Sequence, residues 1–103
     1  MDKKSFEMIF CVVNSGFSGE VMNAARSAGA TGGTILHARG TANRKAEEEF
    51  QITINPEKDL VLIAVSADIK DAVLKAIYDQ AGLTNEAHGI AFSMPISDYI
   101  GIK

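Results

Sequence analysis

Leu60-Val61-Leu62-Ile63-Ala64-Val65 is apolar at every position, and Ile69, Ala72, Val73, Ala76 and Ile77 follow it at helical spacing. A short run of this kind reads as a strand buried on both faces. The i, i+3, i+4, i+7, i+8 pattern reads as a helix with one buried stripe. Asp68 is placed to cap that helix and Gly82 to end it. After a polar stretch from Thr84 to His88, Gly89 to Ile96 reads as another strand, with Pro95 marking a sheet edge or a strand end. The segment Leu60 to Ile96 therefore reads strand, helix, strand.

The same order stands earlier in the chain. Phe6 to Val13 is rich in Phe, Ile and Val, and its second half is continuously apolar, as in a central strand. Asn14-Ser15-Gly16 breaks it. A helix follows, with Ser18 as the expected N-cap, Glu20 in the first turn and a stripe of Val21, Ala24, Ala25 and Ala28. Gly29 is its stop signal, because a left-handed C-cap costs glycine nothing. Thr31 to Arg39 reads as the next strand, weakened at Gly32-Gly33 and ended by Gly40.

Two βαβ units joined by right-handed crossovers place both helices on one face of a four-stranded antiparallel sheet. The expectation is an α+β chain, a ferredoxin-like βαββαβ sandwich, forming a single domain over residues 1–103. The other sheet face then has no cover within one chain. Its strands are too apolar to stay wet, so subunits are expected to pack there.

Between the halves, Thr41 to Glu49 is polar, with Arg44-Lys45 followed by Glu47-Glu48-Glu49. It reads as a solvated loop. Phe50, Ile52 and Ile54 then alternate with Gln51, Thr53 and Asn55, the period of a strand with one wet face, before a bend at Asn55-Pro56. Asp98 to Lys103 form a short tail.

Composition narrows the function classes. The chain has 103 residues, 47% of them hydrophobic and 22% charged, with a formal charge of −3. That balance fits a globular domain and supplies no basic field for holding nucleic acid or coating an anionic membrane. A single cysteine, Cys11, excludes an internal disulfide and a cysteine zinc cage. Glu7 interrupts the apolar stretch after Lys3-Lys4, and no run approaches the length of a membrane span. The cytoplasm is the expected compartment, without membrane insertion.

A search for catalytic groups returns little. Cys11 lies mid-strand in an apolar run and reads as a core thiol. No serine has a nucleophile-elbow context. His37 and His88 lack metal-ligand spacing, so no metal ligand and no catalytic residue is assigned. An acylphosphatase-like enzyme on this topology needs an arginine in the loop after the first strand, and Asn14-Ser15-Gly16-Phe17-Ser18 has none. Arg39, Arg44 and Lys45 read either as ordinary surface charges or, beside glycines, as holders of an anion.

Gly29-Ala30-Thr31-Gly32-Gly33-Thr34 resembles the stretch entering the second strand of the PII signal-transduction family. Gly40 matches the glycine that opens that family's T-loop. Glu49 to Lys58 resembles the strand and Pro-x-Lys turn leaving the loop, and Ser66-Ala67-Asp68-Ile69 the start of the second helix. Ala87-His88-Gly89-Ile90-Ala91-Phe92 falls where the family has Gly-Asp-Gly-Lys-Ile-Phe. The resemblance spans Phe6 to Ile102.

The resemblance implies a homotrimer that is not an enzyme. It binds a small anionic effector such as ATP, ADP or AMP between subunits and regulates a partner protein, for instance a membrane transporter or a metabolic enzyme. The implied effector-binding residues are Thr34, Arg39, Gly40, Thr41, Lys58, His88, Gly89 and Lys103. The implied partner loop contains Ala42, Asn43, Arg44, Lys45, Glu47 and Glu48. This loop is shorter than is usual in the family and contains no tyrosine. Ile90 replaces the phosphate-binding lysine, and Gly101 and Lys103 stand where two arginines are usual. His88 in place of an acid suits a smaller anion or a mononucleotide. The alternative is a divalent-metal-binding trimer of the copper-tolerance type.

Overall fold

The structure is a computed structural model that describes residues 4–41, 56–82 and 87–102. The expected strand around Phe50, Ile52 and Ile54, the loop residues 42–49 and Lys103 lie outside the described residues. The elements run β1 (Phe6–Asn14), α1 (Ser18–Ser27), β2 (Thr34–Arg39), β3 (Glu57–Ser66), a short 3₁₀ turn (Ala67–Ile69), α2 (Lys70–Ala81) and β4 (Ile90–Ile96). The sheet order is β2-β3-β1-β4. Every neighbouring pair is antiparallel, with Ile9 opposite Ile63 and Ser93, and Ile35 opposite Val61. This is the expected ferredoxin-like α+β arrangement. The two continuously apolar strands, β1 and β3, are the central pair, and Pro95 sits on the edge strand β4.

Strand alternation sorts the side chains into two layers. Ile9, Cys11 and Val13 of β1 and Val61, Ile63 and Val65 of β3 are buried under the helices, where Val21, Ala24, Ala25, Val73, Ile77 and Ala81 meet them. Small residues on the inner stripe of α1 let the two helices lie close over the sheet. Cys11 is fully buried, and its burial raises the thiol pKa to about 11, so it is a core residue. The opposite face carries Met8, Phe10 and Val12 of β1, Leu60, Leu62 and Ala64 of β3, Leu36 of β2, and Ile90, Phe92 and Met94 of β4, by the alternation and the register. Leu36, Ile90, Phe92 and Met94 remain about half exposed, and Phe10 stacks on Phe92 with ring centroids 5.2 Å apart. The apolar sheet face expected to lack cover within one chain is therefore present.

Four boundaries differ from the sequence reading. Phe17, not Ser18, occupies the N-cap of α1, and Ser18 begins the helix. The Ser18 side chain makes no capping hydrogen bond. Asp68 does not cap α2 directly; it lies inside the 3₁₀ turn and accepts a hydrogen bond from the Ser66 hydroxyl. Strand β2 starts at Thr34 rather than Thr31; just before it Gly33 runs tight against β3 and α1, where a Cβ would stand 3.0 Å from both the Leu62 carbonyl and Met22 Sδ. Strand β3 starts at Glu57, since Glu57, Lys58 and Asp59 find partners in Arg39, Ala38 and His37. The end of α1 follows the sequence reading. Gly29 has φ of 112°, its N–H donates to Arg26 and the Ala30 N–H donates to Ala25, the paired bonds of a Schellman cap.

Candidate functional site

Strand pairing divides the candidate residues between two ends of one sheet. At the first end, β1 finishes with Asn14, β3 enters at Lys58 and β2 leaves through Gly40 and Thr41. Lys58 Nζ donates to Asn14 Oδ1 at 2.7 Å. The lysine stem passes beside Gly40, where a Cβ would lie 3.3 Å from Lys58 Cγ. The Asn14 N–H donates to the carbonyl of Ala87 at 2.8 Å, which draws the His88-Gly89 turn to the same end. Gly89 allows this closeness. An added Cβ would overlap the Ala81 carbonyl and meet Val13 Cγ1 at 2.8 Å. His88 is exposed and takes a left-handed φ of 48°, a conformation more open to His, Asn and Asp than to most residues.

At the second end, Thr31, Gly32, Gly33 and Thr34 line a groove of about 390 Å³ with Met8, Leu62, Ala64, Gly101 and Ile102. Thr34 stands opposite Leu62, whereas Ala38 stands opposite Lys58. At roughly 3.3 Å per strand residue, about 13 Å separates these two levels of the sheet. Gly40, Thr41, Lys58, His88 and Gly89 are thus gathered at one end and Thr34 is not among them. Strand alternation puts Arg39 on the helix-side face, where its guanidinium donates to Glu57 at 3.0 Å, away from the Lys58 face. Lys103 lies outside the described residues, as does the partner loop Ala42, Asn43, Arg44, Lys45, Glu47 and Glu48.

A polar cluster that sequence reasoning passed over lies on the helix-side face. Asp59 is buried, and its carboxylate meets His37 Nδ1 at 2.9 Å and the Gly16 N–H at 3.2 Å. Burial alone would raise its pKa; the His37 hydrogen bond, the Gly16 N–H, the charge on His37 and Ser18 outweigh this and hold it below the usual carboxylate range. His37 itself is largely solvent-exposed. The cluster ties the edge strand β2 to the β1–α1 turn through β3. The signal in the sequence is slight: Asp59 continues the inward period of Val61, Ile63 and Val65 by one step.

The family-level comparison covers most of the chain. The family described as nitrogen regulatory protein P-II matches residues 6–103. This chain belongs to the PII family. Among solved structures, a protein assigned to PII-like signalling from Thermus thermophilus superposes with a TM-score of 0.68 at 18% identity, covering 93% of this chain and 90% of that one. The PII protein of Arabidopsis thaliana, in a structure bound to citrate, superposes with a TM-score of 0.71 at 22% identity, covering 97% and 82%. No curated protein matches the chain in sequence.

Family membership places the chain among PII-like signalling proteins. Among the described residues no group of three or more His, Cys, Asp or Glu is placed to hold a metal ion. Among the same residues no helix is long and apolar enough to cross a membrane.

Proposed function

We propose that this PII-family chain acts in the cytoplasm as a homotrimeric regulator that binds a small anionic effector in clefts between subunits and signals its state to a partner protein. The observation that carries this reading is the division of the candidate residues. Lys58, Gly40, His88 and Gly89 stand at one end of the sheet and the Thr31–Thr34 groove at the other. One copy cannot bring both ends to one small ligand about 13 Å apart along the strands. Neighbouring copies packed through the apolar face can.

The chemistry of the first end supports an anion of modest charge. Lys58 supplies an ammonium, while the Gly40 and Gly89 N–H groups are already donated to the Pro56 and Ala81 carbonyls; Ile90 brings no cation. A mononucleotide, ADP or a carboxylate such as the citrate held by the Arabidopsis relative fits that charge better than a triphosphate. The expected partner loop follows Gly40 directly in the sequence, so an effector at Gly40 is bound beside its start. The regulated partner is a transporter or a metabolic enzyme.

The test joins two measurements on the full chain. Sedimentation equilibrium is expected to give a mass near three times 11.0 kDa. Calorimetry with ATP, ADP, AMP and citrate is expected to show saturable binding of at least one of them, with AMP, ADP or citrate ahead of ATP. A monomer that binds none of the four overturns the reading.

A further inference from the structure

The residues of the proposed effector cleft converge on one residue that is no part of its expected ligand set. Asn14, the last residue of β1, accepts from Lys58 Nζ through Oδ1 at 2.7 Å. Its backbone N–H donates to the Ala87 carbonyl at 2.8 Å, and its carbonyl accepts from the Phe17 N–H at 3.2 Å. The next residue, Ser15, donates its N–H to the Glu57 carbonyl at 3.0 Å. Asn14 thereby joins the lysine, the His88-Gly89 turn and the start of α1 at one point. The two bonds have different sources: the bond to Ala87 is backbone and survives any substitution except proline, whereas the bond to Lys58 depends on the asparagine amide.

We propose that Asn14 is a positioning residue of the effector cleft, a neutral tether that aims the Lys58 ammonium beside Gly40 and leaves its charge for an incoming anion. An ammonium has three donors and no acceptor, so a single amide oxygen fixes its direction while other N–H groups stay available. A neutral acceptor does not cancel the positive charge, whereas a carboxylate at the same place would compete with the anion directly. Alternation puts Asn14 and Lys58 on the open sheet face, opposite each other in the register. The lysine stem is confined on its other side by Gly40, so the tether has one direction to impose.

The inference rests on the effector-binding reading, and the experiment separates the two. Wild type, Asn14→Ala and Asn14→Asp are titrated calorimetrically with ADP and with citrate, and their urea unfolding is followed in parallel. Asn14→Asp keeps shape and hydrogen bond and adds a charge; it is expected to bind the anions roughly tenfold more weakly or worse while unfolding at the wild-type urea midpoint or above. Asn14→Ala frees the lysine and is expected to lose several-fold in affinity. A role confined to stability predicts the opposite pairing, with unfolding midpoint and affinity falling together. Wild type that binds neither ADP nor citrate overturns the cleft and the tether alike. Wild type that binds, with Asn14→Asp binding equally well, overturns the tether alone.

Discussion

Asp59 is the residue whose environment departs furthest from what its neighbours in sequence suggest. Lys58-Asp59-Leu60 reads as the charged threshold of a strand, yet the carboxylate is buried, and its partners His37 and Gly16 lie on other elements. Such a group is illegible locally because its cost is met by contacts distant in sequence. The pH consequence has a definite sign. The folded pKa lies below the unfolded value of about 3.9, so the ionised group stabilises the fold above that value and the contribution is lost as pH falls through the folded pKa. Asn at position 59 keeps the size but not the charge. Asp59→Asn is expected to cost about 1–3 kcal/mol at neutral pH, because Gly16 and His37 lose an anionic acceptor. The difference from wild type is expected to shrink in acid. Urea unfolding of both proteins at neutral pH and below pH 4 measures this; a gap that stays constant means Asp59 is not ionised in the fold.

At the scale of elements, the regular repeats and the helix ends at Gly29 and Gly82 were readable and the helix starts were not. The i, i+3, i+4 stripes of α1 and α2 and the continuous runs of β1 and β3 are dictated by burial, which acts on every residue of the element. A terminus is decided by one or two groups. Ser18 and Asp68 both have the chemistry of a cap, but neither caps its helix: Phe17 takes the N-cap of α1, and Asp68 bonds the Ser66 hydroxyl two residues before it. Gly29 was readable because its constraint is intrinsic to the backbone, and the Schellman bonds from Gly29 and Ala30 follow from it. Gly29→Ala is expected to lower stability by about 1–2 kcal/mol, the cost of a Cβ at positive φ. Ile69 Cδ1, 3.2 Å from where that Cβ would lie, must also give way. Chemical denaturation measures the loss. Full stability in this variant means the cap at the end of α1 is re-formed in another conformation.

At the scale of the molecule, the sheet has one face sealed by two helices and one apolar face that no element described here covers. Burying the exposed halves of Leu36, Ile90, Phe92 and Met94 contributes on the order of 1 kcal/mol each, given ~1.5–3 kcal/mol for a whole side chain. The apolar pattern alone made that face legible. The allocation of Thr34 and Lys58 to opposite ends was not legible, because it depends on register, and register is set by pairing partners rather than by composition. That allocation makes the proposed cleft testable by complementation. Lys58→Ala removes one half of each cleft and Thr34→Trp obstructs the other half, so each variant alone is expected to bind no anionic effector. If subunits of the two kinds are unfolded together and refolded at equal concentration, three quarters of the trimers are expected to contain both kinds. In a ring, each of these has one junction at which an intact Lys58 faces an intact Thr34. About one quarter of the wild-type number of sites should therefore return, at wild-type affinity, as the stoichiometry of a calorimetric titration with ADP. Recovery of none would mean that both residues serve the same copy's site, and the proposed division of the cleft between neighbours would be wrong.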